Sequence, residues 1–406
     1  MKSAWLAGLV CLLGFLNACG GGGGSNNQSS SPSASSTATP ANNVQPISVN
    51  PGPEGNFANG LFTSVILCVP GTSQCQTVND ILVDTGSIGL RVLGSAVSIP
   101  LPGQVDANGN SVAECAPFVA SLTWGPVVNA TVQMTGETAS NLPVQLIGPS
   151  NFQGPPVACT NSGLPPTDTL SKLGANGILG IGLFVQDCGT ACTINGSPNP
   201  NFYYSCSSSS GCVATTQSLQ NQVQNPVPSF SKDNNGELIR LPAVGAQGAS
   251  TASGSLIFGI GTQSNNGLGS AQIYTTNDIG NFTTVFDGVS YPSSFIDSGS
   301  NGLFFLDSGA TGLPRCTGGA TAFYCPSQTV NFNAQNVGQN GTSGTVAFSI
   351  ANAQQLFSTD NAAFNDLGGP NPGAFDWGMP FFFGRTVFVA ISGAQTPGGP
   401  GPYWAY

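Results

Sequence analysis

The chain has 406 residues, of which 40% are hydrophobic and only 6% charged, against roughly 25% charged in an ordinary globular protein. Seven Lys and Arg against seventeen Asp and Glu give a formal charge of −10, which excludes the basic footprint of a nucleic-acid binder. There is no histidine, so Ser-His-Asp and Cys-His nucleophile systems and His-ligated metal sites are excluded too.

Lys2 and the apolar run Trp5–Leu16 read as a secretory leader over 1–18, since twelve apolar residues are too short to span a bilayer. Leu16-Asn17-Ala18-Cys19, followed by Gly20–Gly24, resembles a bacterial lipobox with Cys19 as the lipid-carrying residue, although Asn17 departs from it. Gly20 carries no inner-membrane retention signal, so the expected location is the cell envelope. There the chain would be an outer-membrane lipoprotein facing periplasm or surface, held to the membrane by its lipid alone. The alternative is a plain leader and a secreted or soluble periplasmic protein. After the cysteine, residues 19–46 are mostly Gly, Ser, Asn, Thr and Pro and carry no charge. They read as a disordered tether, whose flexible part spans about 30 Å.

Of twelve cysteines, Cys11 falls in the leader and Cys19 at the lipobox, which leaves ten: Cys68, Cys75, Cys115, Cys159, Cys188, Cys192, Cys206, Cys212, Cys316 and Cys325. An even number in an exported chain points to disulfides. The close pairs 68/75, 206/212 and 316/325 fit local loops, and 115/159 and 188/192 remain. No CxxC…CxxC zinc spacing occurs, so no metal and no cofactor is expected.

The body is read as β-rich. Fifty-six Gly and thirty Pro favour turns and strands over long helices. Strands are predicted at Leu61–Leu67, Ile81–Val83, Leu90–Leu93, Ala130–Met134, Ser255–Phe258, Ala271–Tyr274, Thr283–Phe286, Thr345–Ile350 and Thr386–Ile391. Asp287-Gly288 between Phe286 and Val289 predicts a two-residue hairpin turn. Short helices are predicted at Thr215–Gln224 and Ala351–Phe357.

One segment recurs. Ile81-Leu82-Val83-Asp84-Thr85-Gly86-Ser87-Ile88-Gly89-Leu90 returns as Ser294-Phe295-Ile296-Asp297-Ser298-Gly299-Ser300-Asn301-Gly302-Leu303, 213 residues later. That separation makes each half domain-sized. A carboxylate at the end of a buried strand, followed by a tight Gly turn, is rigidly held. Two such loops meeting at a pseudo-twofold axis set two carboxylates side by side, and like charges that close share one proton. One then serves as base on a water while the other protonates a carbonyl oxygen, which hydrolyses a peptide without histidine, nucleophile or metal. Asp307-Ser308-Gly309 is a third, cheaper match. Asp297 is preferred because only it is followed by Ser and the Gly-Leu run of the first copy.

With these motifs the chain resembles the pepsin-like, bilobal aspartic peptidases over roughly residues 59–392. Asn176–Gly182 is similar to the segment that crosses beneath the first Asp loop, Gly254–Gly259 to the strand joining the lobes, and Gly378–Arg385 to the second crossing segment, with Met379 in place of the usual acidic residue. The resemblance implies an all-β fold of two pseudo-symmetric lobes with few short helices, here 47–250 and 251–406. A disulfide-rich surface excursion is expected near 185–232. It implies Asp84 and Asp297 as catalytic pair, supported by Thr85, Gly86, Ser87, Ser298, Gly299 and Ser300. It places a flap at Thr123-Trp124-Gly125. The family usually has Tyr-Gly there, and a Trp where Arg91 stands. An Arg91–Trp124 cation–π contact is the expected replacement; otherwise Trp124 is core and Arg91 surface. The whole chain also resembles an uncharacterised family of exported proteobacterial proteins.

Two functions follow. The first is an exported aspartic endopeptidase that cleaves extended peptides at acidic pH and is inhibited by pepstatin, as the resemblance implies. The second is a non-catalytic envelope module on the same fold that binds peptide, protein or glycan. A peptide or protein substrate or ligand, a monomer and no nucleic acid are expected in either case.

Overall fold

The computed structural model describes residues 41–406. The leader, Cys19 and the tether up to residue 40 lie outside the described residues. The end of the expected tether is not loose. Strand β1 (Val44–Asn50) starts inside it, because Gln45, Ile47 and Val49 alternate inwards and are buried.

The first half is built on a hairpin. Strands β2 (Gly60–Cys68) and β3 (Cys75–Asp84) pair antiparallel with Cys68 opposite Cys75, and β3 ends on Asp84. Then follow β4 (Ile88–Leu93), β5 (Ser111–Pro117), β6 (Leu122–Met134), β7 (Glu137–Ile147) and β8 (Gly177–Ile181). Strand β8 enters between β3, with which it is parallel, and β4, with which it is antiparallel, and puts Gly180 beside both Asp84 and Gly89. Such a crossing buries three short apolar runs at once: Ile81 and Val83, Leu90 and Val92, Leu179 and Ile181.

The expected surface excursion is docked rather than free. Strands β9 (Tyr203–Ser207) and β10 (Gly211–Ala214) form a hairpin whose first strand pairs with β5, and Tyr203 and Tyr204 are buried. Adjacent in the strand, the two aromatics point to opposite faces, Tyr204 against Trp124 and Tyr203 against Val112 and Val223, so both faces of the hairpin are buried. The helix expected over Thr215–Gln224 reduces to one 3₁₀ turn at Leu219–Asn221. Its glutamines bond outward instead: the Gln222 amide donates to the Gly189 carbonyl and the Gln217 amide to Gln104. The second predicted helix forms at Ala353–Leu356, capped by Asn352.

Strands β11 (Gly236–Arg240) and β12 (Ala252–Phe258) pair with each other, and β12 also lies against β1. The second half continues with β13 (Ile273–Thr275), β14 (Phe282–Phe286), β15 (Val289–Ile296), β16 (Leu303–Leu306), β17 (Val330–Val337), β18 (Ser343–Ile350), β19 (Gly368–Gly369), β20 (Asn371–Trp377) and β21 (Thr386–Ala390). Asp287 and Gly288 both take positive φ, +48° and +77°, as the predicted turn between β14 and β15 requires. The crossing recurs here. Strand β20 runs parallel to β15 and antiparallel to β16. Strand β21 pairs with β11, so one sheet carries strands of both halves. Tyr403–Ala405 closes it by pairing with β21 and β13, which buries Trp404. The fold is the expected all-β, bilobal one.

All five disulfides join the pairs expected from spacing: 68–75, 115–159, 188–192, 206–212 and 316–325. The 115–159 bridge closes 44 residues, the others 9 or fewer. Each is worth about 2–4 kcal/mol, and a longer loop is worth more. Thiol titration of denatured, unreduced residues 41–406 should therefore find no free thiol. Cys115→Ala/Cys159→Ala should lower Tm more than removal of any of the other four bridges. One equivalent of thiol or more would refute the pairing.

Candidate active site

Asp84 and Asp297 sit at the tips of β3 and β15, where each strand gives way to a Gly turn. The turns hold the carboxylates. Asp84 Oδ1 accepts from the Gly86 N–H (2.8 Å) and the Ser87 N–H (3.1 Å), and Oδ2 from the Ser87 hydroxyl (2.6 Å). Asp297 repeats this, with Oδ1 accepting from the Gly299 N–H (2.7 Å) and Oδ2 from the Ser300 hydroxyl (2.8 Å).

The middle hydroxyls tie the turns together. Ser298 Oγ accepts from the Thr85 N–H (3.1 Å) and donates to the Val83 carbonyl (2.8 Å). Thr85 Oγ1 accepts from the Ser298 N–H (3.0 Å) and donates to the Ile296 carbonyl (3.3 Å). Four hydrogen bonds thus cross between the halves at buried positions. The glycines let the carboxyls approach. A methyl group on Gly86 would collide with the Asp297 carboxyl, and one on Gly299 would stand 2.6 Å from Asp84 Cγ. Each carboxyl therefore faces the other across a residue that only glycine can fill. The crossing strands fix the turns from behind: Gly182 donates to the Ser87 carbonyl, and the Trp377 and Ser300 carbonyls accept from the Asp297 and Met379 N–H groups.

Asp84 is 7% and Asp297 5% exposed, so the pair is almost dry. Burial, then the charge of Asp84 and a hydrogen bond with it, push the Asp297 carboxyl up to about 8, against the opposing pull of Ser300 and Gly299. One proton is thus retained by the pair over a wide range, as two carboxyls in contact require.

The third match does something else. Asp307 caps the short helix Ser308–Thr311, accepting from the Ala310 N–H at 2.9 Å.

The flap expectation is corrected. Trp124 is not at a hairpin tip but within β6, opposite Cys115. It packs on Tyr204 and Phe152, is 4% exposed, and donates from its indole to the Gln153 carbonyl at 2.8 Å. The 115–159 disulfide and Tyr204 form an apolar cluster on that face, and Trp124 fills it. Gly125 lies against the Leu146 carbonyl with no room for a side chain. The β5–β6 tip is Phe118–Ser121, closed by the Phe118 N–H to the Ser121 carbonyl. Arg91 does not reach Trp124. Its guanidinium lies 5.7 Å from the Phe118 ring and is itself buried, in an ion pair with Glu114 (2.5 Å) and Asp187 (3.2 Å). Sequence reasoning missed Glu114, Asp187 and Tyr203 around Arg91, and Asp376 beside Ser300. The one visible signal for Asp376 was an acid inside the apolar run Ala374–Trp377.

Several other acids are also held above their ordinary range by burial: Asp366 to about 6, Glu237 and Asp376 well above it. Each keeps in the folded state a proton that the unfolded chain gives up near pH 4. Where the folded state binds more protons, stability falls as pH rises. It is therefore greatest near pH 4–5 and is lost through about 6 for Asp366 and about 8 for Asp297. The lowered group, Asp106, is exposed and acts only below its usual range. Calorimetry should give a Tm several degrees lower at about pH 8 than at about pH 5; the opposite order would overturn this assignment of protons.

A family model described as "Protein of unknown function (DUF3443)" matches residues 39–406. Among solved structures, an aspartic proteinase from Irpex lacteus is similar at a TM-score of 0.52 and 14% identity, over 89% of this chain and 96% of that one. In all, 320 solved chains match. At that identity the likeness is one of fold. No curated protein matches the sequence.

Proposed function

The chain belongs to the DUF3443 family of proteins of unknown function, and we propose that it is an exported aspartic endopeptidase. The observation that carries this reading is the Asp84–Asp297 pair: two nearly buried carboxyls, each packed against the other's Gly turn and held by its own Gly-Ser turn. In the singly protonated pair, the ionised carboxylate takes a proton from water as the oxygen adds to the peptide carbonyl carbon. The other carboxyl gives its proton to the carbonyl oxygen. The tetrahedral diol then collapses as the C–N bond breaks and the leaving nitrogen is protonated. Thr85 and Ser298 keep the two turns in register and the Ser87 and Ser300 hydroxyls orient the carboxyls. An extended peptide would lie between the lobes and pair with strand edges.

Five disulfides fit an oxidising compartment, and no helix among the described residues is long and apolar enough to cross a membrane. Anchoring through Cys19 in the outer membrane is part of the proposal.

The burial of Trp124 favours a second reading, a binding module that has the pair but not the Trp124 flap expected over it. A cleavage assay separates the two. Residues 41–406 should cut denatured protein from acidic pH up to the point where the pair loses its last shared proton, near 8 by the raised Asp297, and pepstatin should inhibit. No cleavage at any pH from about 3 to about 8 would leave the binding reading.

A further inference from the structure

A third carboxyl stands directly behind the pair. Asp376 is fully buried in β20, with its backbone between Phe295 of β15 and Phe304 of β16. Its Oδ2 lies 2.6 Å from Ser300 Oγ, and the same Ser300 Oγ lies 2.8 Å from Asp297 Oδ2. Its Oδ1 has no hydrogen-bond partner. In the first half, the residue in register with Asp376 is Ile178: Leu82 pairs with Ile178 as Phe295 pairs with Asp376. The acid therefore breaks the symmetry of the two crossings, and only on the Asp297 side.

A hydroxyl has one proton, so Ser300 cannot donate to both carboxyls. If Asp376 were ionised, Ser300 would turn to it, Asp297 would lose its hydroxyl donor, and a second charge would join that of the singly protonated pair in a dry site. The groups facing Asp376 are Asp297 and Asp84, and no cation acts on it. A buried carboxyl in that setting stays protonated and becomes a donor. A short O–H···O contact is then made in the one direction that satisfies all three groups: Asp376 to Ser300, Ser300 to Asp297.

We propose that Asp376 is a positioning residue of the Asp84–Asp297 pair: held neutral, it donates to Ser300 Oγ and so commits that hydroxyl's one proton to Asp297 Oδ2. The relay polarises Ser300 and strengthens the bond that favours ionised Asp297. It thereby sets the pH at which the pair gives up its last proton. The inference rests on the endopeptidase reading only for its activity arm.

The test is the ¹³C titration of carboxyl-labelled aspartates in the full chain, comparing wild type, Asp376→Asn and Asp376→Leu. Asn keeps a donor towards Ser300, whereas Leu removes it and resembles Ile178 of the first half. In the wild type, the one signal absent from Asp376→Asn should stay in its protonated position through neutral pH. The Asp297 titration should be unchanged in Asp376→Asn and move up by roughly 0.5–1 pH unit in Asp376→Leu. The descending limb of kcat/KM should move with it in Leu and stay in place in Asn.

If the Asp376 signal titrates in the ordinary carboxylate range, the direction of the relay is wrong and the proposal falls. It falls equally if Asp297 titrates alike in wild type and Leu, which would make Asp376 a packing group only. Should Leu fail to fold, the position of the Asp376 signal in the wild type, assigned through Asn, still decides. A protein that shows these titrations but cleaves nothing retains the relay and loses the endopeptidase reading.

Discussion

Asp84→Asn and Asp297→Asn should each lower kcat/KM for peptide cleavage by about 10²–10⁴-fold or more, the range lost when a positioned acid or base is removed. Either change ends the sharing of one proton between two carboxyls. The fold should survive both, because an amide oxygen can still accept from Gly86 or Gly299. For Asp297→Asn the argument goes further. Folded Asp297 holds a proton up to about 8, so a neutral side chain there removes a term that weakens the fold as pH rises. That variant should melt at or above the wild-type temperature at about pH 8 while being inactive. Asp307→Asn should leave activity near wild type, since Asn also caps helices well. Melting curves and kcat/KM on one denatured substrate decide the matter. Activity lost in Asp307→Asn and kept in Asp297→Asn would make the choice of second loop wrong.

The pair was legible because everything that positions it is local. An apolar strand, an Asp, a Gly and flanking hydroxyls lie within ten residues, twice, and the structure brings both copies together. The same locality set Asp307 aside. The disulfides were legible for a similar reason, since four of five close short loops. The surroundings of Arg91 were not legible. Its partners Glu114 and Asp187 lie 23 and 96 residues away, so the sequence around it reads as an ordinary surface charge. Trp124 was misplaced because a Trp-Gly pair at the right distance from Asp84 carries no sign of the cluster it fills, which Tyr204 and the 115–159 bridge supply. The helix expected at Thr215–Gln224 yielded to tertiary hydrogen bonds of its own glutamines. At the other end of the chain, Pro46 and the polar tether composition hid the alternation that makes β1 a strand.

Arg91→Met should destabilise the protein by about 3–5 kcal/mol, the cost of leaving a buried charge without its partner. Arg91 and Glu114 have side chains 3% and 0% exposed, and Asp187 4%. One cation faces two carboxyls. Burial, then the charge and hydrogen bond of Glu114, hold the Asp187 carboxyl well above its ordinary range against the pull of Arg91. The neutral arrangement is a guanidinium, one carboxylate and one carboxylic acid. Tyr203 completes it by donating to Asp187 (2.7 Å) and accepting from the Val223 N–H (2.7 Å), which links the docked hairpin to β4. Arg91 also donates to the Ile88 carbonyl at 2.6 Å, one residue beyond the turn that holds Asp84. Its loss should therefore loosen that turn as well as the hairpin, and kcat/KM should fall in the molecules that remain folded. Removing both partners is milder than removing one, since replacement of a whole buried pair by apolar groups is often near neutral. Arg91→Met/Glu114→Leu should accordingly recover part of the lost stability. A double-mutant cycle in urea measures this, and a single-variant loss below about 1 kcal/mol would show the pair to be solvated rather than buried.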